Sequence, residues 1–108
     1  MTLTTQRGYI RPKLDGHKVL YKGLRYWVFE ISKDFPWDGL EEHCSVAVFD
    51  GEYGVVSAFC NRAPNGGFEG YMEWGQSWPT VSGLTPKDLV DSVIQMERWI
   101  IEQHKDMR

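Results

Sequence analysis

The stretch LTPKDLVDSVIQMERWIIEQHKDM, residues 84–107, decides the fold class because it carries a complete helix signature. Thr85 is a favourable N-cap, and Pro86 suits the first helical position. Asp88 completes a capping box, in which its side chain and that of Thr85 bond each other's backbone N–H groups. The pattern predicts one long helix over 86–105.

The apolar residues of this helix recur at helical spacing and form a wide stripe, which must be buried against a partner layer. Leu84, before the cap, is expected to pack on Leu89 as a hydrophobic staple. The stripe comprises Leu89, Val90, Val93, Ile94, Met96, Ile100 and Ile101. The opposite face of the helix carries Asp88, Asp91, Gln95, Arg98 and Glu102.

The residues before the helix supply that partner layer, because valine-rich and aromatic runs alternate there with glycine-containing turns. The first run is GYIRPKL, residues 8–14. We predict an α+β fold in one domain over 1–108: an antiparallel meander of about five or six strands within 8–75, with the C-terminal helix packed across one face. The turns are expected at Asp15-Gly16, Lys22-Gly23, Asp50-Gly51 and Asn65-Gly66.

A two-residue turn at Asn65-Gly66 fixes a strand register in which Arg62 lies opposite Glu69. A longer loop over 62–67 is the alternative, because Pro64 has no N–H for the strand ladder. In the two-residue register the helix covers Val55, Phe59, Ala63, Phe68, Met72 and Trp74. The outer face then carries Val56, Ala58, Cys60, Arg62, Glu69, Tyr71 and Glu73.

A two-residue turn at Asp50-Gly51 would likewise pair Val46 with Val55 and place Cys44 on the helix face. Cys60 would lie on the outer face, where it could react. Side chains on opposite faces of a sheet cannot meet disulfide geometry, so we expect two reduced thiols.

The sequence leaves open whether the outer face is exposed to solvent or covered. A flat apolar patch would form there from Ser45, Ala47, Val56, Ala58 and Cys60. An open patch of this kind is typical of an interface with a second copy or another protein. Alternatively, the segment 32–43 folds over the patch, with Phe35 and Trp37 as the lid.

Composition narrows the classes of function. A net charge of −3 argues against non-specific nucleic-acid binding, which requires a basic surface. No apolar run approaches the ~18 residues that suggest a membrane span, and the first residues do not resemble a secretion signal, so we expect a cytoplasmic protein. The three histidines are far apart in sequence, and we expect neither a metal nor another cofactor. No recognised catalytic motif occurs, which favours a binding protein over an enzyme.

Two groups of residues are candidates for a functional site. A protein interface on the outer face and an aromatic loop would use Trp37, Arg62, Glu69, Tyr71, Glu73 and Trp78. A pocket between helix and sheet would instead use Trp27, Trp74 and Glu97.

Glu97 is notable because it falls inside the apolar stripe of the helix. It is either a buried acid in a pocket or the partner of a base such as Arg25. The tryptophans also have two possible roles. They are either exposed and stack on a partner, or buried and close the end of the core. Trp99 lies at the margin of the stripe, as a rim residue of the core or an interface anchor.

The preferred hypothesis is therefore a small non-enzymatic protein-binding module, such as an inhibitor, an immunity-type protein or an adaptor. Its partner would be another protein or a second copy of the chain. The alternative is a small-ligand-binding protein or small enzyme with a pocket between helix and sheet.

Overall fold

The computed structural model describes residues 18–35, 39–74 and 76–105, without the side chains of 104 and 105. The expected strand at 8–14, the turn at Asp15-Gly16 and the candidate residue Trp37 lie outside the described residues. A short 3-10 helix spans Leu40–Glu42, and the long helix α1 spans Pro86–Lys105. The strands are β1 (Val19–Lys22), β2 (Tyr26–Glu30), β3 (Val46–Asp50), β4 (Val55–Arg62), β5 (Phe68–Tyr71) and β6 (Thr80–Gly83).

The strands form a six-stranded antiparallel sheet in the order β1-β2-β3-β4-β5-β6. Helix α1 packs on one face, chiefly along β6, and also reaches β5, β2 and β1. The predicted α+β meander with a C-terminal helix is thus confirmed. Within the described residues, no helix is both long enough and apolar enough to cross a membrane.

The start of α1 matches the predicted capping box. The Asp88 N–H donates to Thr85 Oγ1 at 3.1 Å, and the Thr85 N–H donates to Asp88 Oδ2 at 3.3 Å. Both orphan N–H groups at the start of the helix are therefore satisfied. The predicted staple contributes little burial, because Leu84 remains 67 % exposed while Leu89 is fully buried.

The space between α1 and the sheet is filled by a mainly aliphatic group of side chains, here called the helix-side cluster. Leu89, Val93, Val28 and Val48 are fully buried in it. The remaining buried members are Tyr26, Val46, Ala58, Cys60, Phe68, Met72, Val81 and Val90.

The other face of the sheet carries a second buried group, the outer cluster, and the described residues of the segment between β2 and β3, 31–35 and 39–44, cover it. Phe35 and Leu40 from this segment are 4 % exposed, and Phe35 packs edge-on against Phe29 at 6.0 Å. The outer apolar patch is therefore covered by this segment where β2 and β3 run. The cluster contains Trp27, Phe29, Ile31, Phe35, Leu40, Cys44, Ala47 and Phe49.

The predicted turn at Asp50-Gly51 is longer than two residues, and the register built on it is wrong. The positive φ is at Gly54 (69°), whose N–H donates to the Asp50 carbonyl at 2.8 Å. The Asp50 carboxylate accepts the Glu52 N–H at 2.9 Å, which makes Asp50 a turn residue in its own right. The longer turn and a register shift between Val48 and Phe49 together pair Val46 with Cys60 instead of Val55.

The turn at Asn65-Gly66 follows the longer-loop alternative. The Gly66 N–H donates to the Ala63 carbonyl at 3.0 Å, with Pro64 inside the turn and Gly66 at φ 90°. Arg62 therefore pairs with Phe68 instead of Glu69. Pro64 is accommodated because it lies in the loop and not in the strand ladder.

A one-residue register shift between Val48 and Phe49 inverts the side chains of β4 from Ala58 onward relative to the prediction, whereas Val56 stays on the outer face as predicted. Ala58 and Cys60 lie under the helix, and Phe59 packs against the outer cluster. The faces of β5 were predicted correctly in that Phe68 and Met72 lie in the helix-side cluster.

Candidate functional site

An open groove with a volume of about 640 Å³ lies between the second half of α1 and the residues that lead into β6. We call it the tryptophan groove. Its apolar lining comprises Trp74, Trp78, Pro79, Met96, Trp99 and Ile100. Its polar lining comprises Ser77, Thr80 and Gln103.

The three indoles of the groove are unusually exposed for tryptophans. Trp74 is 40 %, Trp78 57 % and Trp99 59 % exposed, whereas Trp27 in the outer cluster is only 8 % exposed. The chain has five tryptophans, so more than half of them border this one surface. Clustered exposed aromatics of this kind are characteristic of binding surfaces.

A tight reversal of the chain places Trp74 and Trp78 together. The N–H of Trp74 donates to the Ser77 carbonyl at 3.0 Å, and the N–H of Ser77 donates to the Trp74 carbonyl at 2.9 Å. The Met72 N–H then donates to the Pro79 carbonyl at 2.8 Å, which connects the reversal to the β5–β6 ladder. The first wall of the groove is thus held by backbone hydrogen bonds.

A close backbone approach positions the second wall. A Cβ atom at Gly83 would lie 2.4 Å from the backbone nitrogen of Leu89, so only glycine lets the helix start so near β6. Further along, the Ser82 N–H donates to Ser92 Oγ at 3.2 Å. The helix is therefore held along β6, and its last turns bring Trp99 to the groove.

The aromatic surface continues from the groove onto the outer face of the sheet. The rings of Tyr71 and Trp78 meet edge to face at a centroid distance of 5.2 Å. Tyr71 in turn stacks on Phe59 at 5.7 Å. Trp78 thus belongs to the groove and to this row of rings.

The groove is electrically neutral, with acidic residues beside it. None of the lining side chains that the structure describes is charged. Glu69 lines an adjoining hollow, which shares Thr80 with the groove, and exposed Glu73 directly precedes Trp74. Neither Glu69 nor Glu73 forms an ion pair with any residue that the structure describes.

The predicted interface residues separate into two places. Tyr71, Trp78 and Glu69 lie together at the β5–β6 side of the outer face. Arg62 lies apart from them: its guanidinium is 3.5 Å from Glu30 and stacks over Phe68 at 4.7 Å. The predicted Arg62–Glu69 pair does not form.

The three predicted pocket residues are not brought together either. Trp27 belongs to the outer cluster, where it stacks on Phe29 at 5.8 Å, and Trp74 lines the groove. The helix–sheet interior that they were expected to line is filled by the helix-side cluster.

Glu97 pairs with a phenol and not with Arg25, the base suggested by the sequence. The Tyr26 hydroxyl donates to Glu97 Oε1 at 2.5 Å and links β2 to α1. Burial, together with this hydrogen bond, raises the pKa of Tyr26 well above its ordinary value. Arg25, the expected base, instead binds Asp50 at 2.8 Å, which keeps its own pKa raised.

The two cysteines are free and buried, one in each cluster. Their assignment to the faces was inverted, because Cys44 lies in the outer cluster and Cys60 under the helix. Burial raises the pKa of the Cys44 thiol to about 11 and that of the Cys60 thiol to about 12. Neither side chain is placed as a reactive surface thiol.

Among the residues that the structure describes, no group of three or more His, Cys, Asp or Glu side chains could hold a metal ion. Scans against protein-family models, curated proteins and solved structures each found no match to the chain.

Sequence reasoning missed Met96, Pro79 and Gln103 as groove residues and left Trp99 undecided. Helical angle contains the missing information, because Met96, Trp99 and Gln103 all fall on one flank of the buried stripe. What the angle does not reveal is which strand that flank faces.

Proposed function

We propose that this protein is a small non-enzymatic protein-binding module that uses the tryptophan groove and the adjoining row of Tyr71 and Phe59 as its binding surface. The observation that carries the proposal is the convergence of Trp74, Trp78 and Trp99 on one open groove at 40–59 % exposure. The proposal keeps Tyr71, Trp78, Glu69 and Glu73 as interface residues and moves the centre of the interface to the edge of the sheet.

The physical argument is that these indoles are not needed to complete the interior. Both faces of the sheet are already filled, with Val93 and Phe29 fully buried. Leaving three large rings in water forgoes about 25 cal/mol for every Å² of apolar surface, which a partner would recover on binding. Tryptophan is also the residue type most often found as an energetic anchor of interfaces.

A small apolar ligand is the second candidate for the same groove. Its volume of about 640 Å³ falls within the roughly 300–1,000 Å³ of small-molecule pockets. The groove is open along its length, however, and continues onto the outer face through the Tyr71–Trp78 contact. A continuous surface of this kind suits a polypeptide better than a compact ligand.

The net charge of the chain and its two thiols support a proposal for the cellular location and the type of partner. We place the protein in the cytoplasm, where two free buried cysteines remain reduced. The partner is a protein, either foreign or a second copy of this chain, and the net charge of −3 makes nucleic acid an unsuitable target.

The test is selection from a random peptide library displayed on phage, run in parallel on the wild type, Trp99→Ala and Ile101→Ala. Ile101 is the matched control because it is 57 % exposed on the same helix but does not line the groove. We expect sequences that are enriched on the wild type and on Ile101→Ala but not on Trp99→Ala.

Enrichment that is equal on all three proteins would contradict the proposal, as would enrichment absent from all of them when the wild type is also not a dimer joined through the groove. Light scattering on the same proteins separates self-association from foreign binding. A wild-type dimer that Trp99→Ala converts into a monomer would identify the partner as a second copy.

A further inference from the structure

We propose that the tryptophan groove binds a proline-rich segment of a foreign protein, held as a polyproline II helix and carrying a basic residue beside Glu69 and Glu73. This inference rests on the proposed function and names the class of peptide that the groove takes. It is argued from the shape of the groove, its hydrogen-bonding groups and the charges beside it.

The lining suits a ligand with flat, rigid apolar rings. Trp78 and Trp99 offer half-exposed indole faces, and Pro79 and Met96 lie among them. A polyproline II helix is extended and largely preformed before binding, so it loses little conformational entropy when it docks. Aromatic-lined grooves are a general means of binding such helices.

The lining of the groove includes two groups that can only donate hydrogen bonds, the indole N–H groups of Trp78 and Trp99. Ser77, Thr80 and Gln103 add hydroxyl and amide groups that both donate and accept. None of the described lining residues carries a carboxylate. The two donor-only indoles therefore favour a ligand that presents acceptors to them.

A proline-rich segment is such a ligand. Its carbonyl groups make no internal hydrogen bonds, and each proline lacks an N–H. An α-helical partner uses most of its carbonyls internally and would leave the indole donors facing an apolar surface.

Strand addition at β6 is disfavoured by contacts already present at that edge. The Ser82 N–H is bonded to Ser92 Oγ at 3.2 Å, and α1 lies along β6. An incoming strand would have to displace this contact. A polyproline II ligand needs no strand ladder.

The charges beside the groove specify one end of the ligand. Glu69 and Glu73 are exposed and form no ion pair with a described residue. Glu69 reaches the groove through the adjoining hollow that it shares with Thr80. A lysine or arginine next to the prolines would meet these two carboxylates, which would fix the direction of the peptide.

The test uses synthetic peptides and the indole N–H resonances of the 15N-labelled protein. The probe is a peptide of about ten residues, arginine followed by a proline-rich run, which is roughly 31 Å long as polyproline II. One control replaces its prolines with serine and glycine at unchanged charge, and a second replaces its arginine with glutamate. Tryptophan-to-phenylalanine variants assign the resonances.

We expect the proline-rich probe to shift the Trp78 and Trp99 resonances, and the serine–glycine peptide to leave them in place. Trp99→Ala should weaken binding tenfold or more, and Ile101→Ala should not change it. The double variant Glu69→Gln with Glu73→Gln should bind the arginine probe more weakly than the wild type does. It should bind the peptide in which arginine is replaced with glutamate no more weakly than the wild type does. The spectra themselves report whether each variant is folded.

Absence of indole shifts with the proline-rich probe would overturn the inference, as would equal shifts with the serine–glycine peptide. A wild-type dimer joined through the groove would also overturn it. If the phage library yields groove-dependent peptides without proline, this inference fails and the proposed function stands. If the library yields no groove-dependent peptide and the wild type is not a dimer joined through the groove, both fail.

Discussion

The helix-side cluster and the outer cluster fill the two faces of one sheet with different side chains and different covers. Under the helix, aliphatic residues such as Val28, Val48 and Leu89 interlock. On the outer face, Phe29 and Phe49 meet edge to face at 5.3 Å, and Phe35 lies over them at the tip of an irregular segment.

The difference shows that a segment can cover a sheet face without a regular spacing of apolar residues when its buried side chains are large. An aromatic ring buries about 150–250 Å² of surface, so two or three rings can close a face that would otherwise need a helix. The buried side of a helix can be predicted from the spacing of its apolar residues. The sequence of residues 31–44 has no such periodic pattern of apolar residues. The two covers should therefore respond differently to substitution.

The largest effects are expected from arginine placed in each cluster. Ala58 and Ala47 are both fully buried, on opposite faces of adjacent strands. Ala58→Arg puts an unpaired charge under α1 and should unfold the protein, whose whole stability is about 5–15 kcal/mol. Ala47→Arg should be costly but less so, because residues 31–35 and 39–44 can move away from the sheet without displacing α1.

Urea denaturation of both variants, followed by circular dichroism, measures this difference. Equal loss of stability would show that the two covers are equally rigid. Greater tolerance at Ala58 would reverse the assignment of the faces.

Phe35→Ala should be next in size, at about 3–5 kcal/mol, because it leaves a cavity above Phe29 and Phe49. The loss should be concentrated in the outer cover. Hydrogen exchange is expected to accelerate at the backbone amides of 39–44 while the amides of α1 keep their relative order of protection. Uniform acceleration across α1 would mean that the two clusters unfold as one unit.

The pH dependence of stability allows the two clusters to be compared, because each cluster contains one buried thiol. Their folded pKa values, about 11 for Cys44 and about 12 for Cys60, lie above the ordinary value of 9.0, so the folded protein holds these protons when the unfolded chain has lost them. Stability should thus be complete below about pH 9 and decline above it, by about 1.4 kcal/mol per pH unit for each thiol.

Denaturation under reducing conditions between pH 9 and 12 tests this expectation with Cys44→Ala and Cys60→Ala. Each variant should show a shallower decline above pH 9 than the wild type. Tyr26, whose pKa is also raised, adds a decline that both variants share above its ordinary value of 10.0. A decline unchanged by either substitution would contradict burial of the thiols.

Thr85→Ala should have the smallest of these effects, about 1 kcal/mol, because it removes the side-chain acceptor of the Asp88 N–H. Ser32→Ala is the matched change in the outer cover, where the Ser32 hydroxyl donates to Asp34 at the surface. It should alter stability by less than about 0.5 kcal/mol. A larger effect at Ser32 would show that the outer cover also depends on a local cap.

The helix and its cap were predictable because each rests on a local pattern. Strand β6, at Thr80–Gly83, lies beyond the range 8–75 in which strands were predicted. The faces of β4 were not predictable, because they depend on a register shift within the ladder between β3 and β4. Asp50-Gly51 has the composition of a two-residue turn, but the left-handed residue is Gly54, three positions later. The longer turn shifts the pairing by an even number of residues, and it is the one-residue register shift between Val48 and Phe49 that inverts Ala58 and Cys60.

The burial of the outer sheet face was only partly predictable. The uninterrupted apolar run VAVF in β3 is what a strand buried on both faces requires, and all five residues of β3 are buried. The groove was less predictable still. It depends on the close approach of Gly83 to Leu89, which is a tertiary contact.

The order of the elements along the chain has a consequence for folding during synthesis. Residues 31–44 lie between β2 and β3, so the outer cluster has all its buried members once β3 has left the ribosome. The helix-side cluster must wait for α1, which follows all six strands. A nascent chain thus exposes an aliphatic sheet face until α1 can pack on it, and exposed apolar surface of this kind favours aggregation during that interval.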